Sequence, residues 1–264
     1  MKVTSDMKVL VTGANGGIGQ AIARALHNAG AQLILSGRRP EALVALAESV
    51  RARVVVADLE RREDVARCLA EAGPIDVLVA NAALPSSGAL LDFSEDQIDR
   101  ALDVNLRAPI VMARHAAQGM VERGKGQIVF ISSISGKVAA MGTALYSATK
   151  FGLRGLSLGL REDLRASGIG VTTIFPGFIR DAGMFADSGV ALPFAVGTRS
   201  PEQVGQAVLR AIEKNPAEIT VAAFSQSLGA LLAGISHSTV TALTRKLGGE
   251  KIAKQIAAAQ AHKR

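Results

Sequence analysis

Lys8-Val9-Leu10-Val11-Thr12-Gly13-Ala14-Asn15-Gly16-Gly17-Ile18-Gly19 is the stretch whose reading decides the fold. Lys8 to Thr12 is short and apolar, which reads as a buried strand. Glycines follow at once, and a helical pattern then runs to about Ala29, where Gly30 stops it. The local order is strand, glycine turn, helix. Gly13 permits a tight turn, Gly17 lets backbone approach a ligand, and Gly19 lets the helix pack close to the strand. A helix that starts here offers free N–H groups and the positive end of its dipole to a pyrophosphate. The spacing is G-x-x-x-G-x-G rather than G-x-G-x-x-G, so the strand–helix context carries the nucleotide reading. A plain glycine turn is the alternative.

Outward from this turn the alternation repeats. Gln32 to Ser36, Arg53 to Ala57, Asp76 to Ala80, Gly126 to Ser132 and Ile169 to Phe175 read as strands, with Glu218 to Ala222 as a candidate seventh. Helical patterns, Arg62 to Ala72 among them, separate the strands, which predicts a parallel, doubly wound α/β sheet. Ligands of such sheets sit at the carboxyl ends of strands, and Gly13, Arg38, Asp58 and Asn81 all fall there. The second strand ends at Ser36-Gly37-Arg38-Arg39 with no acidic residue to hold a ribose 2′-hydroxyl. The two arginines suit a 2′-phosphate instead, which favours NADP. NAD and a merely solvated loop are the alternatives.

Tyr146-Ser147-Ala148-Thr149-Lys150 holds the only tyrosine of the chain, with a lysine four residues on. On a helix that spacing places both side chains on one face. A lysine cation favours the phenolate and is expected to lower a phenol pKa that is ordinarily about 10. The pair is a candidate acid/base, and a hydroxyl or carbonyl compound is its natural substrate. A half-buried tyrosine above a solvated lysine is the alternative. A long helix is predicted from about Asp96 to Arg123, with Asn105 four residues before Pro109. Proline has no N–H, so the Asn105 carbonyl loses its helical partner. That carbonyl and the Asn105 amide could anchor a water; a tolerated kink is the other reading.

The 264 residues suit one large domain, and 48% hydrophobic residues against 20% charged allow a sizeable core. The net charge of +7, from 30 basic and 23 acidic residues, favours anionic ligands such as phosphates. Nucleic acid is not expected, because the basic residues are scattered and no aromatic stacking platform accompanies them. Cys68 is the lone cysteine and falls in a predicted helix, so it reads as structural. His27, His115, His237 and His262 lack ligand spacing, so no metal is expected. No secretory leader pattern opens the chain and no apolar run is long enough to span a bilayer, so the expected location is cytoplasmic.

Phe178 to Thr198 has no clear period and mixes Phe178, Met184, Phe185, Leu192, Pro193 and Phe194 with Gly and Asp. Its length suggests a lid, and its apolar side chains suggest a hydrophobic substrate; ordinary packing is the alternative. Ser200-Pro201-Glu202 starts a further helix, to about Lys214. Ser225 to Arg264 reads as two or three amphipathic helices. Leu228, Leu231, Leu232 and Ile235 share one face and are expected to cover the pocket or form a subunit contact. Because Arg245, Lys246, Lys251 and Lys254 follow, a membrane-surface role is a less favoured alternative. Residues 1–222 are expected to form one dinucleotide-binding catalytic domain, and residues 223–264 a helical extension packed on it.

Over about residues 7–222 the chain resembles the short-chain dehydrogenase/reductase family. Thr12-Gly13-x-x-x-Gly17-Ile18-Gly19, Asp58-Leu59, Asn81-Ala82-Ala83, Asn105, Ser133, Tyr146-x-x-x-Lys150 and Pro176-Gly177 stand in the family's order. The resemblance implies a seven-stranded Rossmann-like sheet and an NAD(P)-dependent oxidoreductase acting on a carbonyl or secondary alcohol. It implies that Tyr146 exchanges the proton, that Lys150 lowers the Tyr146 pKa and holds the nicotinamide ribose, and that Ser133 binds the substrate oxygen. Asn105 would hold a water linking Lys150 to solvent. Asp58 and Leu59 would meet the adenine, Asn81 would steady the central strands, and Asn15, Ile18, Pro176, Gly177 and Ile179 would lie along the cofactor. A homodimer or homotetramer is implied as well. Three departures stand out: Ala83 replaces the usual glycine, Ile179-Arg180-Asp181-Ala182 stand where a threonine is common, and Asn15 stands near a customary basic residue. Against the catalytic reading stand a non-catalytic NADP-binding regulator on the same fold and an NAD-dependent lipid or steroid dehydrogenase at a membrane surface.

Overall fold

β1 (Lys8–Thr12), β2 (Gln32–Gly37), β3 (Arg53–Val56), β4 (Val77–Ala80), β5 (Gly126–Ile131), β6 (Ile169–Pro176) and β7 (Glu218–Val221) form one parallel sheet. The computed structural model describes residues 1–193, 196–246 and 248–263. Phe194 of the expected lid and Arg264 of the basic tail lie outside the described residues. The strand order is β3-β2-β1-β4-β5-β6-β7. The order reverses between β1 and β4, and the crevice that such a reversal opens lies beyond their carboxyl ends.

The helices that cross between strands are α1 (Gly17–Asn28), α2 (Pro40–Val50), α3 (Arg62–Ala72), α4 (Glu95–Leu102), α5 (Ala108–Arg123), α6 (Ala144–Asp163) and α7 (Pro201–Lys214). They cover both faces of the sheet, so the strands are apolar throughout rather than alternating. Along β1, Val9 and Val11 join Ile22, Leu26, Leu43, Val204 and Val208 on one face, while Leu10 joins Val65, Met112 and Leu153 on the other. β4 repeats the division, with Val77 and Val79 against Leu78 and Ala80. Cys68 is buried in the second cluster and its thiol lies 3.4 Å from the Ser36 hydroxyl, in keeping with a structural role.

The long helix expected from Asp96 to Arg123 is broken. Ser94 caps α4 through a capping box with Gln97. Residues Asp103–Arg107 then form a π turn, and α5 starts at Ala108 with Pro109 in its first turn. The reason is local. Proline denies the Asn105 carbonyl its α-helical partner, and the chain widens so that Ala108 N–H donates to the Asp103 carbonyl, five residues back.

Beyond β7 lie α8 (Phe224–Ala233), α9 (His237–Lys246) and α10 (Gly249–Gln260). Within this chain the expected apolar face of α8 does not cover the pocket. Leu228, Leu231, Leu232 and Ile235 are exposed, and the buried side chains are Ala230 and Ala233. Among the described residues no helix is long and apolar enough to cross a membrane.

Candidate active site

The turn between β1 and α1 is built by exclusion of side chains. Gly13 has φ +62°, and a methyl group there would press into the backbone of Ala82 at the end of β4. A methyl on Gly19 would collide with the Gly13 carbonyl. Gly16, the residue before α1, supplies no capping side chain, so the first amides of the helix are left without an intrahelical acceptor. A cradle that any Cβ would fill, ending in free N–H groups and the positive end of a helix, fits the pyrophosphate of a dinucleotide. Gly17 has a second neighbour that the motif did not announce. A methyl there would strike the Ala182 side chain, from the segment after β6.

The neighbouring strand ends close around this turn. The Asn81 amide donates to the Thr12 carbonyl at 2.9 Å and to the Gly13 carbonyl at 3.1 Å. The Thr12 hydroxyl accepts from the Asn81 and Ala82 amides at 3.0 and 3.1 Å. Thr12 is thus a positioning residue that the sequence reading quoted without assigning a role. Asp58 accepts from Glu60 N–H at 3.2 Å, while its own N–H donates to Asp64 at 2.8 Å, so the turn after β3 is held rigid. Leu59 is buried beside it. Arg38 and Arg39 are both exposed at the end of β2. With its amide oriented to accept, Asn15 bonds both Nε and an Nη of Arg39 at 3.2 Å. Arg39 is thereby tethered to the glycine turn and Arg38 is not. The Ile179 side chain is buried in the core, which leaves its main chain as the part that can face a ligand.

Tyr146 and Lys150 sit at the carboxyl end of β5. Ser133 lies beside the Tyr146 phenol, near enough to oppose the rise of its pKa. Lys150 Nζ lies 5.6 Å from the centre of the Tyr146 ring and donates to the Ile131 carbonyl at 3.1 Å. Ser132, which the sequence reading passed over, donates to the Lys150 carbonyl at 3.1 Å. Gly136 makes this approach possible, since a methyl there would press on both Ser132 Oγ and the Lys150 carbonyl. Asn105 is fully buried in the π turn, and α6 packs against that turn through Gly152 on Leu106. Its amide accepts from Leu84 N–H at 2.6 Å and donates to the Leu84 carbonyl at 2.9 Å. Both polar ends of that amide therefore bond the loop after β4. Each end of the amide keeps one further hydrogen-bonding position, and the Asn105 carbonyl, denied its α-helical partner by Pro109, stands beside it.

The electrostatics correct one expectation. Burial pushes the Tyr146 phenol up to about 12, with Ser133 opposing it, instead of the lowering expected from the lysine. Burial pulls Lys150 down to about 8. Both shifts have one cause: a low-dielectric pocket penalises phenolate and ammonium alike. Near neutral pH the phenol holds its proton and the lysine its charge. Among the described residues no group of His, Cys, Asp and Glu could hold a metal ion.

Of residues 178–193 and 196–198, Ala182 comes against Gly17 of the glycine turn. Phe178 and Phe185 pack with ring centres 4.8 Å apart, and Ile179 pairs with Arg199 as a one-residue parallel bridge. A methyl group on Gly183 would come into van der Waals contact with Ile18 of the glycine turn.

Residues 7–191 match the family model described as short chain dehydrogenase. Ketoacyl reductase HetN of Nostoc is 30% identical over 256 residues, covering 93% of this chain and 89% of the relative. The 3-oxoacyl-[acyl-carrier-protein] reductase FabG of Rickettsia conorii is 37% identical over 173 residues, covering 65% and 72%. A short-chain dehydrogenase from Sphingobium yanoikuyae, solved in complex with NADPH, superposes with a TM-score of 0.75 at 29% identity, over 88% of this chain and 96% of that one. Seven parallel strands in Rossmann-like order, a glycine cradle at the first turn and these matches agree, and the chain belongs to the short-chain dehydrogenase/reductase family of NAD(P)-dependent oxidoreductases.

Proposed function

We propose that the protein is an NADP-preferring reductase of an apolar carbonyl compound, or equally the dehydrogenase of the matching secondary alcohol, with Tyr146 as the acid/base. The observation that carries this is the half-buried Tyr146 beside the buried Lys150, whose Nζ lies 5.6 Å from the ring centre, with Ser133 against the phenol at the same strand end. A nicotinamide dinucleotide, when bound, supplies or accepts the hydride. Gly13, Asn15, Gly17, Ile18 and Gly19 would hold its pyrophosphate, Arg38 its 2′-phosphate, and Asp58 and Leu59 its adenine. Asn81 keeps the ends of β1 and β4 together beneath it, and the main chain of Pro176, Gly177 and Ile179 borders the nicotinamide side.

Within that setting Ser133 donates a hydrogen bond to the substrate oxygen and favours the charge that develops there. A phenol at about 12 is fully protonated at neutral pH, so Tyr146 stands ready to give its proton to that oxygen. The Lys150 cation then steadies the phenolate left behind, and its remaining protons can reach a ribose hydroxyl. The Asn105 carbonyl would end a water path that restores the proton. HetN and FabG are named as reductases of ketoacyl compounds, and NADPH occupies the Sphingobium relative; both support reduction with the phosphorylated cofactor. Phe178, Met184, Phe185 and Leu192, in the segment that reaches the glycine turn, support an apolar substrate. Exposed Ile110 and Val121 on α5 and Phe151 and Leu158 on α6 support a homodimer or homotetramer through those helices.

The test is a panel of ketones, 3-oxoacyl thioesters and secondary alcohols run with NADPH and NADH, or with their oxidised forms. Turnover of an apolar carbonyl, faster with NADPH, is expected. Tight NADPH binding with no turnover across the panel would instead favour a non-catalytic regulator.

A further inference from the structure

We infer that Gln226, on the C-terminal extension, is a positioning residue that latches residues 178–198 down over the glycine turn and so sets how firmly the dinucleotide is held. The inference rests on the reading of that turn as the dinucleotide's seat.

One side-chain amide spans both feet of the segment. Gln226 Oε1 accepts from Phe178 N–H at 3.1 Å, at the start of the segment. Its Nε2 donates to the Val196 carbonyl at 3.0 Å and to the Gly197 carbonyl at 2.9 Å, at the other end. Ser225, next to it, donates to the same Val196 carbonyl at 2.9 Å. Two glycines make room for the extension. A methyl on Gly177 would collide with Gln226 Oε1, and one on Gly197, which has φ +66°, would press into Ala223. The middle of the segment is tied as well, since Gln260 on α10 donates to the Met184 carbonyl at 3.1 Å. The part held between these ties is the part that reaches the glycine turn, through the Ala182 side chain on Gly17.

Only a residue with a donor and an acceptor at one fork can make this junction. Glutamate would set a carboxylate oxygen against two carbonyls, and alanine would leave an N–H and two carbonyls to find water. A long loop held at its feet mainly by hydrogen bonds is among the first parts of a fold to open. Lifting its tip is what exposes Gly17, and loop opening of this kind commonly limits ligand release.

Full-length wild type, Gln226→Ala and Gln226→Glu are compared in two ways. Limited proteolysis without ligand reads the segment alone, and stopped-flow fluorescence reads NADPH release. Both variants should be cleaved within residues 178–198 faster than wild type. Losing two or three of these hydrogen bonds predicts NADPH release at least ~10-fold faster. Melting temperature should move little, and with a substrate in hand KM for NADPH should rise while kcat holds. Folded variants with wild-type cleavage and wild-type release would overturn the latch. Should neither Gln226 variant fold, Ser225→Ala and Gln260→Met each remove one tie and should each speed cleavage, with no change again counting against it. Failure of the wild type to bind NADPH would defeat the dinucleotide reading, while the ligand-free protease arm would still decide the latch.

Discussion

The glycine turn after β1 and the segment over it touch at Gly17 and Ala182, yet they are held in opposite ways. The turn is set by its own residues: glycine where a Cβ cannot fit, and a strand and helix on either side that bury Val9, Leu10, Val11 and Ile22. The segment from 178 to 198 has few buried side chains and takes its position from Gln226 and Gln260, tens of residues further on. Rigidity from local geometry suits a seat that must exist before the ligand arrives. Position borrowed from remote hydrogen bonds suits a cover that must move.

The contrast is sharpest at two glycines of the same conformation. Gly13 and Gly189 both have φ between 62° and 65°, but only Gly13 faces packed backbone. Gly13→Val should abolish measurable NADPH binding in a fluorescence titration and lower the melting temperature by several degrees, because strain of ~1–2 kcal/mol adds to a collision with Ala82. Gly189→Ala meets open space and should cost only the backbone strain, with NADPH affinity unchanged. Comparable losses of affinity in both variants would erase the distinction between seat and cover.

Next in size is Arg38→Ala. Loss of a charge-assisted hydrogen bond to a 2′-phosphate, about 1.5–3 kcal/mol, should weaken NADPH roughly 10- to 100-fold and leave NADH untouched. Equal weakening of both cofactors in parallel titrations would remove the 2′-phosphate assignment. Arg39, already tethered to Asn15, serves as the comparison.

An effect of similar size comes from the buried lysine. Lys150 falls from 10.5 to about 8 on folding, so between those values the unfolded chain binds the extra proton. Stability should therefore rise with pH from about 8 and lose that contribution, worth on the order of 3 kcal/mol, as pH falls through 8. Tyr146, raised from 10 to about 12, acts in the other direction above pH 10, so the useful window is 8 to 10. Ligand-free Lys150→Met should melt higher than wild type at pH 7 and lack the rise across that window. A parallel rise in both proteins would show that Lys150 is not its source.

Much of the site was legible because its signals are local. The strand Lys8–Thr12 and the helix Arg62–Ala72 stand where composition and period placed them, and a four-residue spacing was enough to bring Tyr146 and Lys150 together. Pro109 was read correctly as a disturbance, but one residue does not disclose that the chain answers with a π turn, or that the Asn105 amide turns to Leu84. Thr12, Ser132 and Gln226 were missed for a common reason. Each acts on a partner brought near only by the fold, with no period to betray it. The apolar stripe of Leu228, Leu231 and Leu232 on α8 does not cover the pocket within this chain, and its exposure leaves the subunit contact as the reading of that face. The phenol pKa was misjudged because a spacing conveys the nearby charge but not the burial that outweighs it.

The central claim is that Tyr146 exchanges the proton while other residues hold the dinucleotide. Tyr146→Phe, assayed for NADPH oxidation on the best substrate of the panel and for NADPH affinity without substrate, tests it most directly. The account predicts turnover reduced by ~10²–10⁴ with NADPH affinity within about twofold of wild type. Turnover near the wild-type rate in a variant that binds NADPH normally would contradict it.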